Sequence, residues 1–257
     1  MSTLLATLPN EVAERLIGRR HLSWSAISTY QSCSLKFAFR YLEGLPEETV
    51  SASLIFGSAI HSSIQVHFEE LLAGNPAPDL NTLLDAYRAE WSVRESENVK
   101  FGKGDDAATL EALAERMLAA FQESDLAKPE GAILGIEEEL RGPVIDGCPD
   151  LLARLDLVVE NDDELVVTDF KTSRSRWSTQ QFEQSIDQLL LYHEIAGKLA
   201  GDKPVRLQFS VITKANNPTV EVYSVPTDPG GSSVPSGSPL ASGGRSRPVI
   251  STPAPPQ

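Results

Sequence analysis

The sequence predicts an α/β domain: a mixed β-sheet flanked by helices, with a helical N-terminal part. Three observations lead there. Helix-spaced apolar residues dominate the first half of the chain. Short runs rich in Val, Leu and Ile begin near residue 132. A further helix-spaced stretch separates one group of three strands from a last pair.

Taken in order, Ser23 or Ser25 is placed to cap a helix running towards Tyr41, stopped by Gly44 and Pro46. A second helix covers about residues 54–72 and ends at Gly74 and Pro76. Asp79 or Asn81 opens a third, through Tyr87 and Trp91. Leu110, Leu113, Met117 and Phe121 carry the spacing of a fourth, over 107–121. AILGIEEEL and LLARLDLVVE then read as strands around a Gly/Pro turn, and LVVTDFK follows the polar turn 161–164. Residues 179–199 return to helical spacing. VRLQFSVIT and TVEVYSV form a hairpin through Asn216, Asn217 and Pro218. Residues 1–20 read as an N-terminal arm, 21–225 as the domain, and 226–257 as a disordered tail, because Pro, Gly and Ser dominate that tail and no aromatic residue occurs in it.

The chain has 257 residues, enough for a sizeable core. Its mean hydropathy is −0.17. No apolar run approaches the roughly 18 residues of a membrane span, so no membrane partner is expected. Two cysteines, Cys33 and Cys148, cannot make a disulfide framework, and a cytoplasmic location follows as the default. Asp and Glu outnumber Lys and Arg 36 to 22, a net charge of −14. Such a surface as a whole repels phosphates, so a nucleic-acid function needs a local site.

One segment offers it. In LLARLDLVVENDDELVVTDFKTS, Asp156 lies within one apolar strand and Asp169 at the end of the next. Residues i and i+2 of a strand share a face, so Asp169 and Lys171 project side by side. Two strands joined by a tight turn bring Asp156 towards Asp169. Carboxylates held together in apolar surroundings repel each other, and a divalent cation resolves that. A lysine beside the cation stabilises developing phosphate charge, or orients and deprotonates an attacking water. Upstream, FGSAIHSSIQVHFEELL puts His61 one turn after Gly57; downstream, Gln188 and Tyr192 are i, i+4 neighbours on one helix face.

In this order, SWSAISTYQSCSLKFAFRYLEGL, FGSAIH, Asp156, Asp169-Phe170-Lys171-Thr172 and Gln188-x-x-x-Tyr192, the chain resembles the RecB-type (RecB/AddB-like) branch of the PD-(D/E)xK nuclease superfamily over about residues 22–225. The resemblance implies a restriction-endonuclease-like core and a Mg²⁺- or Mn²⁺-dependent DNA nuclease, of exonuclease type, working in DNA repair or recombination. It implies that His61, Asp156, Asp169 and the Phe170 main-chain carbonyl bind the metal, that Lys171 is catalytic, and that Gln188 and Tyr192 line the cleft and contact DNA. It also implies a glutamate on the preceding strand, either Glu137, which follows Ile136 as in the family, or Glu139 on the same strand face. Two departures stand out: Ala153 replaces the family's usual glycine before the first aspartate, and Cys33 has no further cysteines near the C-terminus to join it, so no iron–sulfur cluster is expected and Cys33 reads as a small buried residue. The unusual tail is also consistent with a truncated or frameshifted chain after residue 225. A helicase partner would have to be a separate chain, since no Gly-x-x-x-x-Gly-Lys-Ser/Thr loop is present. Arg19, Arg20, Lys36, Arg40, Arg174 and Arg176 are candidates for tracking a phosphate backbone, with Trp177 to stack on a base. The competing reading is a catalytically inactive module that keeps the fold and binds nucleic acid or protein.

Overall fold

The computed structural model describes residues 9–94 and 98–225; the tail expected over 226–257 lies outside the described residues. In chain order the elements are α1 (Pro9–Ile17), β1 (His21–Ser23), α2 (Trp24–Ser32), α3 (Ser34–Phe37) running into a π-helical turn (Ala38–Leu42), β2 (Val50–Ser51), α4 (Ala52–Leu72), α5 (Leu80–Val93), β3 (Val99–Lys100) and α6 (Ala107–Glu123). A short 3₁₀ turn (Asp125–Ala127) leads to β4 (Ala132–Gly142), β5 (Asp150–Glu160), β6 (Leu165–Ser173), α7 (Thr179–Ala200), β7 (Val205–Thr213) and β8 (Val220–Val225). The expected α/β class with a mixed sheet is what forms.

The caps explain the helix starts. Asp79 accepts from the Thr82 amide, while Asp106/Thr109 and Ser178/Gln181 make reciprocal capping boxes. The first expected helix starts at Ser23 but is not continuous to Tyr41. It breaks at Cys33, whose extended backbone (φ −163°, ψ 106°) ends α2 and whose Sγ accepts from the Lys36 amide to start α3. Cys33 is exposed rather than buried, because it serves as a cap at the surface. Part of the arm is ordered too: α1 docks through Asn10, whose Oδ1 accepts from the Asp150 amide at 2.7 Å.

The main sheet runs β1-β5-β6-β7-β8, with β4 on the other edge of β5. β6 and β7 are parallel, joined by α7, and the β4–β5, β5–β6 and β7–β8 pairs are antiparallel. Two cores form, one on each face. Phe56, Ile60, Ile64 and Phe68 of α4 meet α5, α6 and the sheet residues Leu157, Val159, Phe170 and Ile212. Leu189, Tyr192, Ile195 and Ala196 of α7 meet Leu155, Val158, Val167, Leu207 and Phe209. The buried positions of α4 recur at intervals of three and four, which turns one broad stripe towards the sheet. Ala153, where the family has glycine, is fully buried against the α7 side, so its methyl is packed rather than tolerated at a surface.

Candidate active site

The site lies where the sheet forks. β5 and β6 pair from Glu160↔Leu165 to Leu157↔Thr168 and no further. β6 carries on along β7 as far as Ser173, while the same edge of β5 is taken up by β1 only at residues 150–152. Asp156 and Asp169 are therefore the first residues past the last shared rung. Asp156 turns its carboxylate across the opening, where Oδ2 accepts the Phe170 amide at 2.7 Å. A backbone donor freed by the fork is thus satisfied by a side chain.

The strand alternation slips at the same place. Leu151, Ala153 and Leu155 face the α7 core, yet so does Val158, while Leu157 and Val159 face the α4 core. Opposite Asp156 on β4, Glu137 has φ 52°, in the left-handed region, where it is the one non-glycine residue among those described. Such a backbone costs on the order of 1–3 kcal/mol in a residue with a Cβ and persists only where its surroundings enforce it. The slip decides between the two candidate glutamates. Glu139 turns outward, exposed, to Arg154 at 2.6 Å. Glu137 turns to the fork, and Arg154 reaches it only at 3.7 Å.

His61, Glu137 and Asp156 each place one ligand atom within 4.8 Å of the others. His61 comes from the middle of α4, and its Nδ1 stands 3.5 Å from Asp156 Oδ2. Burial lowers the His61 pKa, while the charge of Asp169 and a hydrogen bond to the Phe170 main chain work the other way. Asp169 sits beside this trio. Its Oδ1 accepts from Gln188 Nε2 at 2.8 Å, and its Oδ2 pairs with Lys171 Nζ at 2.7 Å. Asp169 and Lys171 are neighbours on one strand face, as the i, i+2 spacing required. Gln188 also donates to the Tyr192 hydroxyl at 3.2 Å. Both are nearly buried, at 8% and 6% exposed, with Gln188 holding the Asp169 carboxylate and Tyr192 holding Gln188. Trp177, half-buried, is packed against Phe209 and Tyr223, and the exposed Arg176 pairs with Glu221 at 2.7 Å.

Electrostatics show the strain of this arrangement. Burial pushes the Asp156 carboxyl well above its usual range, and the charges of Asp169 and Glu137 add to it. Glu137 is raised by burial too, against the opposing pull of Arg154. Burial works to lower Lys171, but the charge of Asp169 and its hydrogen bond prevail and hold it above its usual value. Three carboxylates and an imidazole with one nearby ammonium leave uncompensated negative charge. Hard oxygen donors with one imidazole suit Mg²⁺ or Mn²⁺, and the Phe170 main chain lies against the same ring. The residues present fit a divalent cation, which His61, Asp156 and Glu137 would hold, with Asp169 and the Phe170 carbonyl adjoining.

Two consequences can be measured by thermal unfolding. Asp156→Asn keeps an acceptor for the Phe170 amide and removes one repelling charge. The variant should be at least as stable as the parent without cation, while losing most of the stabilisation by Mg²⁺, which at 100 times Kd amounts to about 2.7 kcal/mol, or roughly 5–10 °C. Glu137→Gly relieves the left-handed backbone and should gain about 1 kcal/mol without cation, yet bind Mn²⁺ more weakly in calorimetry.

The family model of the PD-(D/E)XK nuclease superfamily matches residues 21–233. The chain belongs to this superfamily. The fork holds two aspartates and a lysine two residues beyond the second of them. A crystal structure of a provisionally assigned exonuclease from Eubacterium rectale is similar in fold, with a TM-score of 0.55 at 15% identity, covering 88% of this chain and 78% of that one. At that identity the likeness speaks for the PD-(D/E)XK fold alone. No curated protein sequence is significantly similar to this chain. A cleft opens beside the fork. Its lining holds His61, Phe170 and Lys171, which the sequence singled out, and also Ser53, Leu54 and Lys214, which it did not. Lys214 escaped notice because it follows an apolar strand with no pattern around it.

Proposed function

We propose that the chain is a Mg²⁺- or Mn²⁺-dependent deoxyribonuclease that trims DNA ends. One observation carries this reading: a His/Glu/Asp donor set, a second buried aspartate and a lysine meet at one fork beside a cleft of about 410 Å³, room for a phosphodiester and its sugar. Bound there, the cation would offset phosphate charge and make a water more acidic. The chain's own residues do the rest. Gln188 fixes one oxygen of Asp169, and Lys171 holds the other. Asp156 is fixed by the Phe170 amide, which ties its position to the strand backbone. Lys171, about a third exposed, carries an ammonium from Asp169 to the rim of the cleft, where charge grows on the phosphate. A water oxygen bonds to phosphorus as the bond to the 3′ oxygen breaks, leaving 5′-phosphate and 3′-hydroxyl ends.

An end-trimming mode is supported by the assignment of the Eubacterium rectale neighbour, and a setting in repair or recombination by the RecB-type order of motifs. A separate helicase would feed such an enzyme. Among the described residues no helix is long and apolar enough to cross a membrane. A second reading, a binding module without catalysis, draws on the net charge of −14 and on the closure of Lys171 onto Asp169. End-labelled single- and double-stranded DNA with Mg²⁺, Mn²⁺ or EDTA separates them. Cation-dependent release of mononucleotides, abolished in Asp169→Ala and Lys171→Ala, supports the nuclease. DNA binding without cleavage, unchanged in both variants, supports the module.

A further inference from the structure

The cleft is lined by a second lysine besides Lys171. Lys214 follows β7, and its amide continues the ladder past the end of β6 by donating to the Ser173 carbonyl at 2.6 Å. Lys171 pairs with Val211 in the same ladder, so both lysines leave the same end of two adjacent parallel strands. The Lys214 side chain then crosses to the start of α4. Its ammonium lies 4.7 Å from the centre of the Phe56 ring and donates to Ser53 Oγ at 3.1 Å. These contacts hold the charge in one place at the cleft wall. Among the described residues no carboxylate lies within ion-pair distance of it. Asp105 is the one acid whose charge favours its protonated form, while burial and the charge of Arg174 oppose it.

A half-buried ammonium without a carboxylate partner is unusual in a chain this acidic. Burying a charge is costly unless something pairs with it, and a hydroxyl and a ring face supply only part of that compensation. The cleft around it has the chemistry of a phosphate and sugar site. Ser53 adds a hydroxyl, the first turn of α4 adds partial positive charge, and Leu54, 58% exposed, offers an apolar surface. His61 and Lys171 line the other side of the same cleft.

We propose that Lys214 and Ser53 form a subsite for the phosphate next to the one being cut, so that the enzyme reads its substrate as a polynucleotide rather than as a single phosphodiester. The proposal rests on the nuclease reading and specifies how that cleft holds its strand. Lys214 is a binding residue in this scheme and takes no part in bond breaking. Ser53 donates to the phosphate once the ammonium turns from its oxygen to the ligand. Arg174, exposed beside Lys214, extends the same positive rim outwards.

The test combines Lys214→Gln and Lys214→Arg with oligonucleotides in which one neighbouring phosphate is replaced by an uncharged methylphosphonate. In the unaltered chain that replacement should raise KM about tenfold. Lys214→Gln should raise KM on the ordinary strand by a similar factor with kcat much less affected, Lys214→Arg should restore most of the affinity, and the methylphosphonate should then cost Lys214→Gln less than twofold. Fluorescence anisotropy with the cleavage-dead Lys171→Met chain gives a second readout, in which adding Lys214→Gln should lower the slope of log K against log salt by about 0.7 for single-stranded DNA. Additive losses from the protein and substrate changes, or an unchanged salt slope, would overturn the subsite. A fall in kcat with KM unmoved would also overturn it, since that would give Lys214 a part in the cutting step. A chain that cuts no DNA at all sinks the nuclease reading instead, and the anisotropy arm then decides the subsite alone. Melting temperatures of both variants guard against a folding defect, and the Arg variant, which keeps the cation over the Phe56 ring, must regain binding if the charge is what matters.

Discussion

Replacing Lys171 by methionine should lower kcat for DNA cleavage by about 10²–10³-fold, the loss typical of removing one positioned charge donor from a transition state. Methionine keeps an unbranched stem and removes the ammonium, which stands 5.7 Å from the centre of the Phe209 ring. The substitution has a second effect that must be separated from the first. Asp169 is nearly buried and loses its ion-pair partner, so the melting temperature without cation should fall. Adding Asp169→Asn removes the orphaned charge, and Gln188 can still donate to the amide oxygen at that position. The double variant should therefore melt close to the parent and stay inactive. If Lys171→Met cuts DNA at more than a tenth of the parental rate, the assignment of the lysine to the cutting step is wrong.

The largest effect on stability is expected at Phe68. Its side chain has no solvent exposure and stands between three elements. It stacks on Phe170 of β6 at 5.9 Å between ring centres and meets Phe121 of α6 edge-on at 5.8 Å. Phe68→Ala leaves a cavity where α4, α6 and the sheet meet, and should cost about 3–5 kcal/mol in denaturant unfolding. The same cavity loosens Phe170, whose amide fixes Asp156 and whose main chain lies against His61. At a temperature where the variant is still folded, its cation affinity should consequently fall as well. Phe68→Leu, which fills more of the space, should recover part of both. A variant with full cation affinity despite the lost stability would show that the fork does not depend on that stack.

Much of this was legible in the residues. The start at Asp79, the helical spacing over 54–72, 107–121 and 179–199 and the β-branched runs of β6 and β7 are local signals, and each of these elements formed within a few residues of its expected bounds. Short elements were not legible. β1, β2 and β3 have two or three residues each, too few to show a period, and exist because a neighbouring strand accepts them. The break at Cys33 was missed because the helical spacing continues across it, while the cysteine's own extended backbone ends one helix and caps the next. Glu137 and Glu139 could not be separated by alternation, since a period of two puts both on one face. The slip beside Asp156 and the left-handed backbone of Glu137 turn one in and leave the other out.

Spacing along the chain determined the helices, the strands, the shared face of Asp169 and Lys171, and the pairing of Gln188 with Tyr192, because those depend on residues a few positions apart. Only the folded chain decided where β6 leaves β5, which glutamate joins His61 and Asp156, and that Lys214 reaches α4 across a gap of 161 residues. Such relations depend on strand register and on contacts between distant segments, and no local period encodes them.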